Sequence, residues 1–413
     1  MDPSTTDSDR SLLCVLVADK LDQAGLDNLQ RLGCDVHFHP DATADQLPDL
    51  IREHDPDCII VRSTKVTAES IQAGRRLSLI VRAGAGYNTI DIMAASSRGI
   101  FVANCPGKNS LAVAELAWGL ILSCDRRIPQ QTEQLKAGKW NKKEFSAARG
   151  LSGRTLGVIG LGRIGLAIAQ RGRAFGMNVA AWSRSLTHET AEINGVDLCE
   201  NPVNLARISD VISISVAAND DTENMIDEKF LAAMKPGAIL VNTSRGSVID
   251  QAALAETIRQ KNLRVGLDVF ANEPGSGTGE FTDQIVSLEN VIGTHHIGAS
   301  TEQAQEAIAT EAVNIVRTYA TTGDVRNCVN RADKTAATCQ MIIRHLNKPG
   351  VLAHVFDTLS QSGINVDEME NLIYTGEEAA CARIRLSSSP STEDLESIKS
   401  NSNIMSITLT NIA

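Results

Sequence analysis

Short apolar runs alternate with helix-period stretches from Leu12 to about Arg317. Residues 12–17, 58–61, 79–81, 156–159, 179–182, 211–215, 239–242 and 265–268 are strand-length and bounded by Gly, Pro or polar turns. Runs that are apolar at nearly every position suit strands covered on both faces. With helical stretches between them, they predict an α/β fold of parallel sheets, doubly wound by helices. Ser110 to Leu122 is apolar nearly all round, which puts it under more than one neighbour, such as a subunit interface. Residues 136–143 are a basic, polar excursion that ends near Gly150 and Gly153.

The pattern changes after Thr321, where a polar, turn-rich stretch to Thr335 reads as a linker. Residues 338–413 then read strand, helix, strand, strand, helix, strand. Val351, Leu352, Val355, Phe356 and Leu359 fall on one helical stripe, and residues 380–386 alternate like a half-buried strand. A βαββαβ unit of this size predicts a ferredoxin-like small domain.

Composition narrows the function. The chain has 413 residues, 43% hydrophobic and 22% charged, enough for two or three domains. Its net charge of -11 argues against nucleic-acid and anionic-membrane partners. No apolar run approaches the ~20 residues of a membrane span, and the polar leader 1–11 lacks the marks of a signal or transit peptide. A cytoplasmic location is expected. The nine cysteines are scattered singly with no Cys-x-x-Cys, so buried free thiols are expected and no metal site.

One motif stands in the right context. The strand around 155–159 runs into Gly160-Leu161-Gly162-Arg163-Ile164-Gly165, and a helix follows, closed near Gly176. The first glycine permits the tight turn, the second lets a pyrophosphate approach, and the third lets helix and strand pack. A lone match of this kind is weak, but strand before and helix after raise it. The next strand should end in an acid that grips the adenosine ribose in an NAD enzyme. Ser183 stands there, followed by Arg184, and that chemistry tilts toward NADP.

Further along, Thr243-Ser244-Arg245-Gly246, Asp268 to Glu273 and His296-Ile297-Gly298-Ala299 each follow a strand-length run. A guanidinium forks onto a carboxylate, and an imidazole exchanges a proton with an alcohol near neutral pH. Glu273 is the carboxylate expected to orient His296, while Asp268 is expected beside the nicotinamide amide. Singly, each has a plain reading as a surface or turn residue. Their joint placement in a dinucleotide-binding lobe reverses those odds.

At these residues the chain resembles the D-isomer-specific 2-hydroxyacid dehydrogenases, over nearly its whole length after residue 11. Further markers are Val61-Arg62-Ser63-Thr64-Lys65-Val66 and Arg82-Ala83-Gly84-Ala85-Gly86-Tyr87-Asn88. The resemblance implies a flavodoxin-like substrate lobe from 12–105 and 298–322, and a Rossmann cofactor lobe over 106–297. It implies a linker at 323–337, an ACT regulatory domain at 338–413, and no ordered structure in the leader 1–11. Arg245, Glu273 and His296 become the catalytic set. NAD becomes the cofactor, at Gly160, Gly162, Arg163, Ile164, Gly165, Ser183, Arg184, Val216, Thr243, Ser244, Asp268, Gly298 and Ala299. Arg62, Ser63, Gly84 and Ala85 become substrate contacts, joined by Lys142 and Lys143 reaching a neighbouring subunit.

In serine-regulated ACT domains, positions matching His345, Asn347 and Asn365 hold L-serine across a domain pair. The implied reaction is oxidation of 3-phospho-D-glycerate to 3-phosphohydroxypyruvate, in a homodimer or homotetramer. Glyoxylate or hydroxypyruvate reduction is the alternative chemistry, and a corepressor-like NAD(H) sensor the non-enzymatic one. The chain departs from the family at Ser183, at His295 where Pro is usual, and in lacking a domain inserted before the ACT unit.

Overall fold

The computed structural model describes residues 13–274, 279–332 and 335–412. The leader 1–11 and residues 333 and 334 of the expected linker lie outside them. The chain divides into two compact units between Asn330 and Arg331.

The first unit holds two parallel sheets. One is built from β1 (Cys14–Val17), β2 (Asp35–Phe38), β3 (Cys58–Val61), β4 (Leu79–Arg82) and β5 (Phe101–Asn104), in the order β2-β1-β3-β4-β5. β1 and β3 are buried along their whole length, which their unbroken apolar sequences allow. On one face Val15, Val17, Ile60, Leu79 and Val81 pack against Ile308, Ala312, Val313 and Val316 of the long helix Glu302–Thr322. On the other, Leu16, Ile59, Val61 and Ile80 pack against Leu47 and Ile51 of the helix Leu47–His54. Each fully buried aliphatic side chain contributes about 1.5–3 kcal/mol.

The other sheet comprises β6 (Thr155–Ile159), β7 (Asn178–Trp182), β8 (Asp197–Leu198), β9 (Val211–Ile214), β10 (Ile239–Asn242), β11 (Arg264–Leu267) and β12 (Val291–Gly293). Its order is β12-β11-β10-β9-β6-β7-β8, so the direction of winding reverses beside β6. The helix Ser110–Arg126 lies under it, and Ala114, Ala117, Trp118, Ile121 and Cys124 share a core with Leu156, Val158, Val179 and Val241.

The apolar runs in the sequence correspond to the interior strands of both sheets. β2, β5, β8 and β12 are the four edges, and β2, β8 and β12 carry no such run, whereas β5 continues an apolar stretch from Ile100 to Ala103. An edge strand has one flank open to water, so nothing demands an unbroken apolar sequence there.

The second unit is a four-stranded antiparallel sheet ordered β14-β15-β13-β16, with β13 Cys339–Leu346, β14 Val366–Ile373, β15 Ala379–Leu386 and β16 Ile404–Asn411. The helices Val351–Gln361 and Thr392–Lys399 complete the βαββαβ order, and Val355, Leu359 and Ile398 close a core with Met341, Ile343, Ala382 and Ile384. All nine cysteines are free, and six are buried. Among the described residues no helix is long and apolar enough to cross a membrane.

Candidate active site

Because every strand of the second sheet is parallel, one edge collects all the loops that follow them: 160–165, Ser183, Val216, 243–246, 268–273 and 294–299. Ligands of open α/β sheets bind at that edge, where the strand order reverses.

The glycine turn fits a dinucleotide. A Cβ on Gly165 would stand 2.0 Å from the Gly160 carbonyl oxygen, and one on Gly160 would stand 2.8 Å from both Ser215 O and Val216 Cγ1. Those two glycines are required by the protein's own packing. Gly162 is different: a Cβ there meets nothing within 4 Å, so the space beside it is left for a ligand. It heads the helix Arg163–Ala174 with no side-chain cap, leaving amide donors to face a pyrophosphate. The Ser215 and Thr243 hydroxyls, buried at the same edge, have no hydrogen-bond partner in the protein.

The side chains of Arg163 and Ile164 serve the protein itself, while their amides stand at the head of the helix. Arg163 donates from Nη1 to the Pro106 carbonyl at 2.6 Å and so fastens the segment joining the lobes, while Ile164 packs against the core. Ser183 follows β7 beside the turn, and Arg184 pairs with Asp221 at 3.0 Å. Both partners of that pair are exposed, so it is weak and a phosphate competes with it easily.

Asn242, fully buried, shapes the arginine turn. Its Nδ2 donates to Arg245 O and its Oδ1 accepts from the Ser244 amide, both at 2.9 Å. The Arg245 guanidinium reaches across to the first sheet, where a Cβ on Gly86 would fall 2.2 Å from Nη2. There it meets Arg82, at the end of β4, and Arg62, after β3. Burial, followed by the charges of Arg245 and Arg62, pushes the Arg82 guanidinium down to about 10, so it stays charged at neutral pH. Its Nε is buried without a partner. Gly84, at φ +155°, is bare because a Cβ would overlap that side chain. The charges of Arg62 and Arg245 both bear on Arg82, and such a concentration of positive charge calls for an anion.

Sequence reasoning quoted Arg82 in a marker and assigned it no role. The available signal was a cation ending an interior strand just before a glycine-rich loop.

Arg62 is held by Gln305 (Nη1 to Oε1, 2.6 Å), and Gln305 in turn donates to the Ala299 carbonyl at 2.8 Å. The amides of Arg62, Ser63 and Thr64 all donate to Asp19 Oδ2 at 2.8–2.9 Å, so Ser63 offers a ligand its side chain and not its amide. Asn104 Nδ2 donates to the Ala85 carbonyl at 2.6 Å, fixing the loop that carries Gly84 and Ala85.

His296 Nδ1 lies 2.7 Å from Glu273 Oε2, and Glu273 Oε1 accepts from the Phe270 amide at 2.9 Å. Burial alone would raise the Glu273 carboxyl. The hydrogen bonds from His296 and Phe270, with the charges of His296 and Arg245, hold it below the usual range, so it is ionised.

Asp268 is tied into the loop that carries His296. Its carboxylate, 1% exposed, turns to the loop bearing His296. Oδ1 accepts from Thr294 Oγ1 at 2.6 Å and from the Ile297 amide at 2.9 Å, and Oδ2 accepts from the Gly298 amide at 3.0 Å. His296 itself has φ +52° and donates its amide to Asp268 O at 2.8 Å. Both carboxylate oxygens therefore help to aim the imidazole.

Lys142 and Lys143 lie elsewhere. They sit exposed on the one-turn helix Lys142–Phe145, whose Glu144 accepts from Arg127, which also pairs with Glu289 just before β12. That is the opposite edge of the sheet, so within one chain they do not join Arg62.

The three expected effector residues are also separated. His345 ends β13 beside Ala380, with Nδ1 2.8 Å from Leu346 O and Nε2 3.2 Å from Asn371 Oδ1. Asn347 donates to Glu377 O at 2.9 Å. Asn365 precedes Val366, which pairs with Leu386, and six residues of β15 separate that point from Ala380. At ~3.3 Å per residue this is roughly 20 Å, so a ligand touching all three needs two chains.

Residues 118–298 match the family model for the D-isomer specific 2-hydroxyacid dehydrogenase NAD-binding domain. The chain is 36% identical to the D-3-phosphoglycerate dehydrogenase of Methanocaldococcus jannaschii, over 88% of this chain and 68% of that one. It is 44% identical to the hydroxypyruvate reductase of Thermotoga maritima, over 65% of this chain and 86% of that one. Among solved structures it resembles the cofactor (NAD+)-bound 3-phosphoglycerate dehydrogenase of Entamoeba histolytica. That match has a TM-score of 0.64 and 25% identity, over 77% of this chain and 99% of the other.

Proposed function

This chain belongs to the D-isomer-specific 2-hydroxyacid dehydrogenase family of NAD-dependent oxidoreductases, and we propose that it oxidises 3-phospho-D-glycerate to 3-phosphohydroxypyruvate, the opening step of serine synthesis. The observation that carries this reading is the trio Arg62, Arg82 and Arg245 beside the His296–Glu273 pair. Arg245, nearest the proton-transfer pair, takes the substrate carboxylate. Arg62 and Arg82 take the phosphate, whose second negative charge needs the additional cations.

Bound at the glycine turn, NAD supplies the acceptor for the hydride leaving C2. His296 takes the hydroxyl proton at Nε2, because Nδ1 donates to Glu273. The carbonyl forms as the C–H and O–H bonds break. Ionised Glu273 stabilises the imidazolium so produced, and Asp268 keeps the ring aimed.

Hydroxypyruvate reduction is the second reading, favoured by the Thermotoga relative and by Ser183-Arg184, which accept a 2′-phosphate. Measuring kcat/KM for phosphoglycerate, hydroxypyruvate and glyoxylate with NAD(H) and NADP(H) decides between them. Phosphoglycerate with NAD should lead. A lead for hydroxypyruvate or glyoxylate with NADPH overturns the first reading, and no turnover with any substrate leaves a coenzyme-sensing role.

The C-terminal unit is read as an ACT domain that takes L-serine between two copies, with His345 and Asn347 from one and Asn365 from the other. This implies a homo-oligomer, and the free thiols suit the cytoplasm. Absence of both calorimetric heat and inhibition at millimolar L-serine would remove this regulatory assignment.

A further inference from the structure

We propose that Cys14, Asp35, His37 and His54 form a binding site for a transition-metal cation of the zinc class, at the N-terminal edge of the first sheet and away from the active site. β1 and β2 run parallel with Cys14 opposite Asp35 and Leu16 opposite His37. Strand alternation therefore puts Asp35, His37 and the following His39 on the face that Cys14 shares. The helix Leu47–His54 packs over that face through Leu47 and Ile51, and its last residue delivers His54. Three of the chain's eight histidines meet here, beside a cysteine and a carboxylate.

The geometry is close to that of a bound ion. Cys14 Sγ, an Asp35 carboxylate oxygen and a His37 ring nitrogen lie within 4.8 Å of one another. Asp35 Oδ2 is 3.2 Å from His37 Nε2. The His54 ring stacks on His37 with centroids 4.1 Å apart, and its carbonyl accepts from Cys14 Sγ at 3.5 Å. Zinc sits ~2.0–2.3 Å from N, O and S ligands, so tetrahedral neighbours stand about 3.3–3.7 Å apart. Cys14, Asp35 and His37 already lie near that spacing, and the His54 ring would turn out of its stack on His37 to become the fourth ligand.

His39 Nε2 lies 3.2 Å from His54 Nε2. That contact occupies one nitrogen of His54, leaving Nδ1 for the metal and His39 as the outer partner that orients the ring. A thiol, two imidazoles and one carboxylate favour zinc or cobalt over magnesium or calcium. Burial, then the charges of Asp35 and Asp57, raise the Cys14 thiol, so it is protonated until a cation displaces that proton to solvent. Burial and the neighbouring His37 lower the His54 imidazole, which keeps it neutral and able to ligate. No spacing motif announces the site, because its ligands come from the ends of three separate elements. The bound ion would fasten edge strand β2 to β1 and to the helix above.

Cobalt(II) titration of the untagged full chain tests this. One cobalt per chain is expected, with tetrahedral visible bands and a near-ultraviolet thiolate-to-cobalt transition, displaced by zinc. Cys14→Ser should abolish the thiolate band, and His37→Gln or Asp35→Asn should weaken binding about tenfold or more. His296→Gln should leave the spectrum unchanged, which separates this site from the active-site imidazole. Absence of the thiolate band, or its persistence in Cys14→Ser, overturns the proposal. If circular dichroism shows Cys14→Ser unfolded, the partly exposed His37→Gln decides: unchanged cobalt affinity rejects the site.

Discussion

The first parallel sheet brings fixed positive charge to the cleft, Arg62 after β3 and Arg82 after β4. The second sheet brings the glycine turn, an arginine, and an imidazole bonded to a carboxylate. Both present the C-terminal ends of their strands, so topology alone does not distinguish them. The difference is one of labour. One edge recognises the anion, the other carries the reaction, and Arg245 reaches from the second to Gly86 of the first. Separable labour implies separable mutational signatures.

The largest effect should come from the reacting edge. His296→Gln should lower kcat by about 10²–10⁴ while substrate and NADH affinities change little, as steady-state kinetics and fluorescence titration would show. An equal loss of NADH binding would mean that the imidazole supports the fold of the cofactor lobe instead. On the recognising edge, Arg82→Leu should raise KM for phosphoglycerate by about 10–100-fold, the worth of a charge-assisted hydrogen bond of ~1.5–3 kcal/mol. It should spare turnover of glyoxylate, which has no phosphate. Uniform loss with both substrates would erase the division between the sheets.

Within the second sheet, two glycines of one motif should part company. Gly165→Ala should lower the melting temperature, since its Cβ would stand 2.0 Å from a carbonyl oxygen. Gly162→Ala should leave melting unchanged and weaken NADH binding.

The smallest effect concerns Glu311, in the helix that returns to the first sheet. Burial works to raise its carboxyl, but hydrogen bonds from Lys108 and Asn327 and the charges of Lys108 and Arg326 hold it below its ordinary value of 4.5. The unfolded chain therefore binds this proton more readily. The stabilisation is complete above ~pH 4.5 and is lost as pH falls through the lower folded value. Urea midpoints measured from pH 6 to pH 3 should fall less in Glu311→Gln than in the parent chain.

Legibility in the sequence followed burial. All eight interior strands of the parallel sheets announce themselves as apolar runs, whereas the edges β2, β8 and β12 do not, since water satisfies one flank of each. Arg245 and Glu273 were legible because each follows an interior strand, and His296 because it comes at the next turn; parallel order gathers all three at one edge. The amides that Asp268 faces in the His296 loop were not legible, because spacing fixes where a carboxylate begins and not which donors it meets. Lys142 and Lys143 came from the family resemblance as residues that reach a neighbouring subunit, and within one chain the fold sets them away from Arg62. Cys14, Asp35, His37 and His54 were invisible together because only the pairing of β1 with β2, and the helix laid across them, makes them neighbours.

One backbone angle has a lasting consequence. His296 occupies a left-handed conformation that disfavours any residue but glycine by about 1 kcal/mol, and three donors gathered on the single side chain of Asp268 hold the loop in that shape. The ring's alignment is therefore inherited from position 268, and attempts to install a different proton carrier would need to rebuild that anchor first. Changing residue 296 alone alters the tool while leaving its grip set for an imidazole.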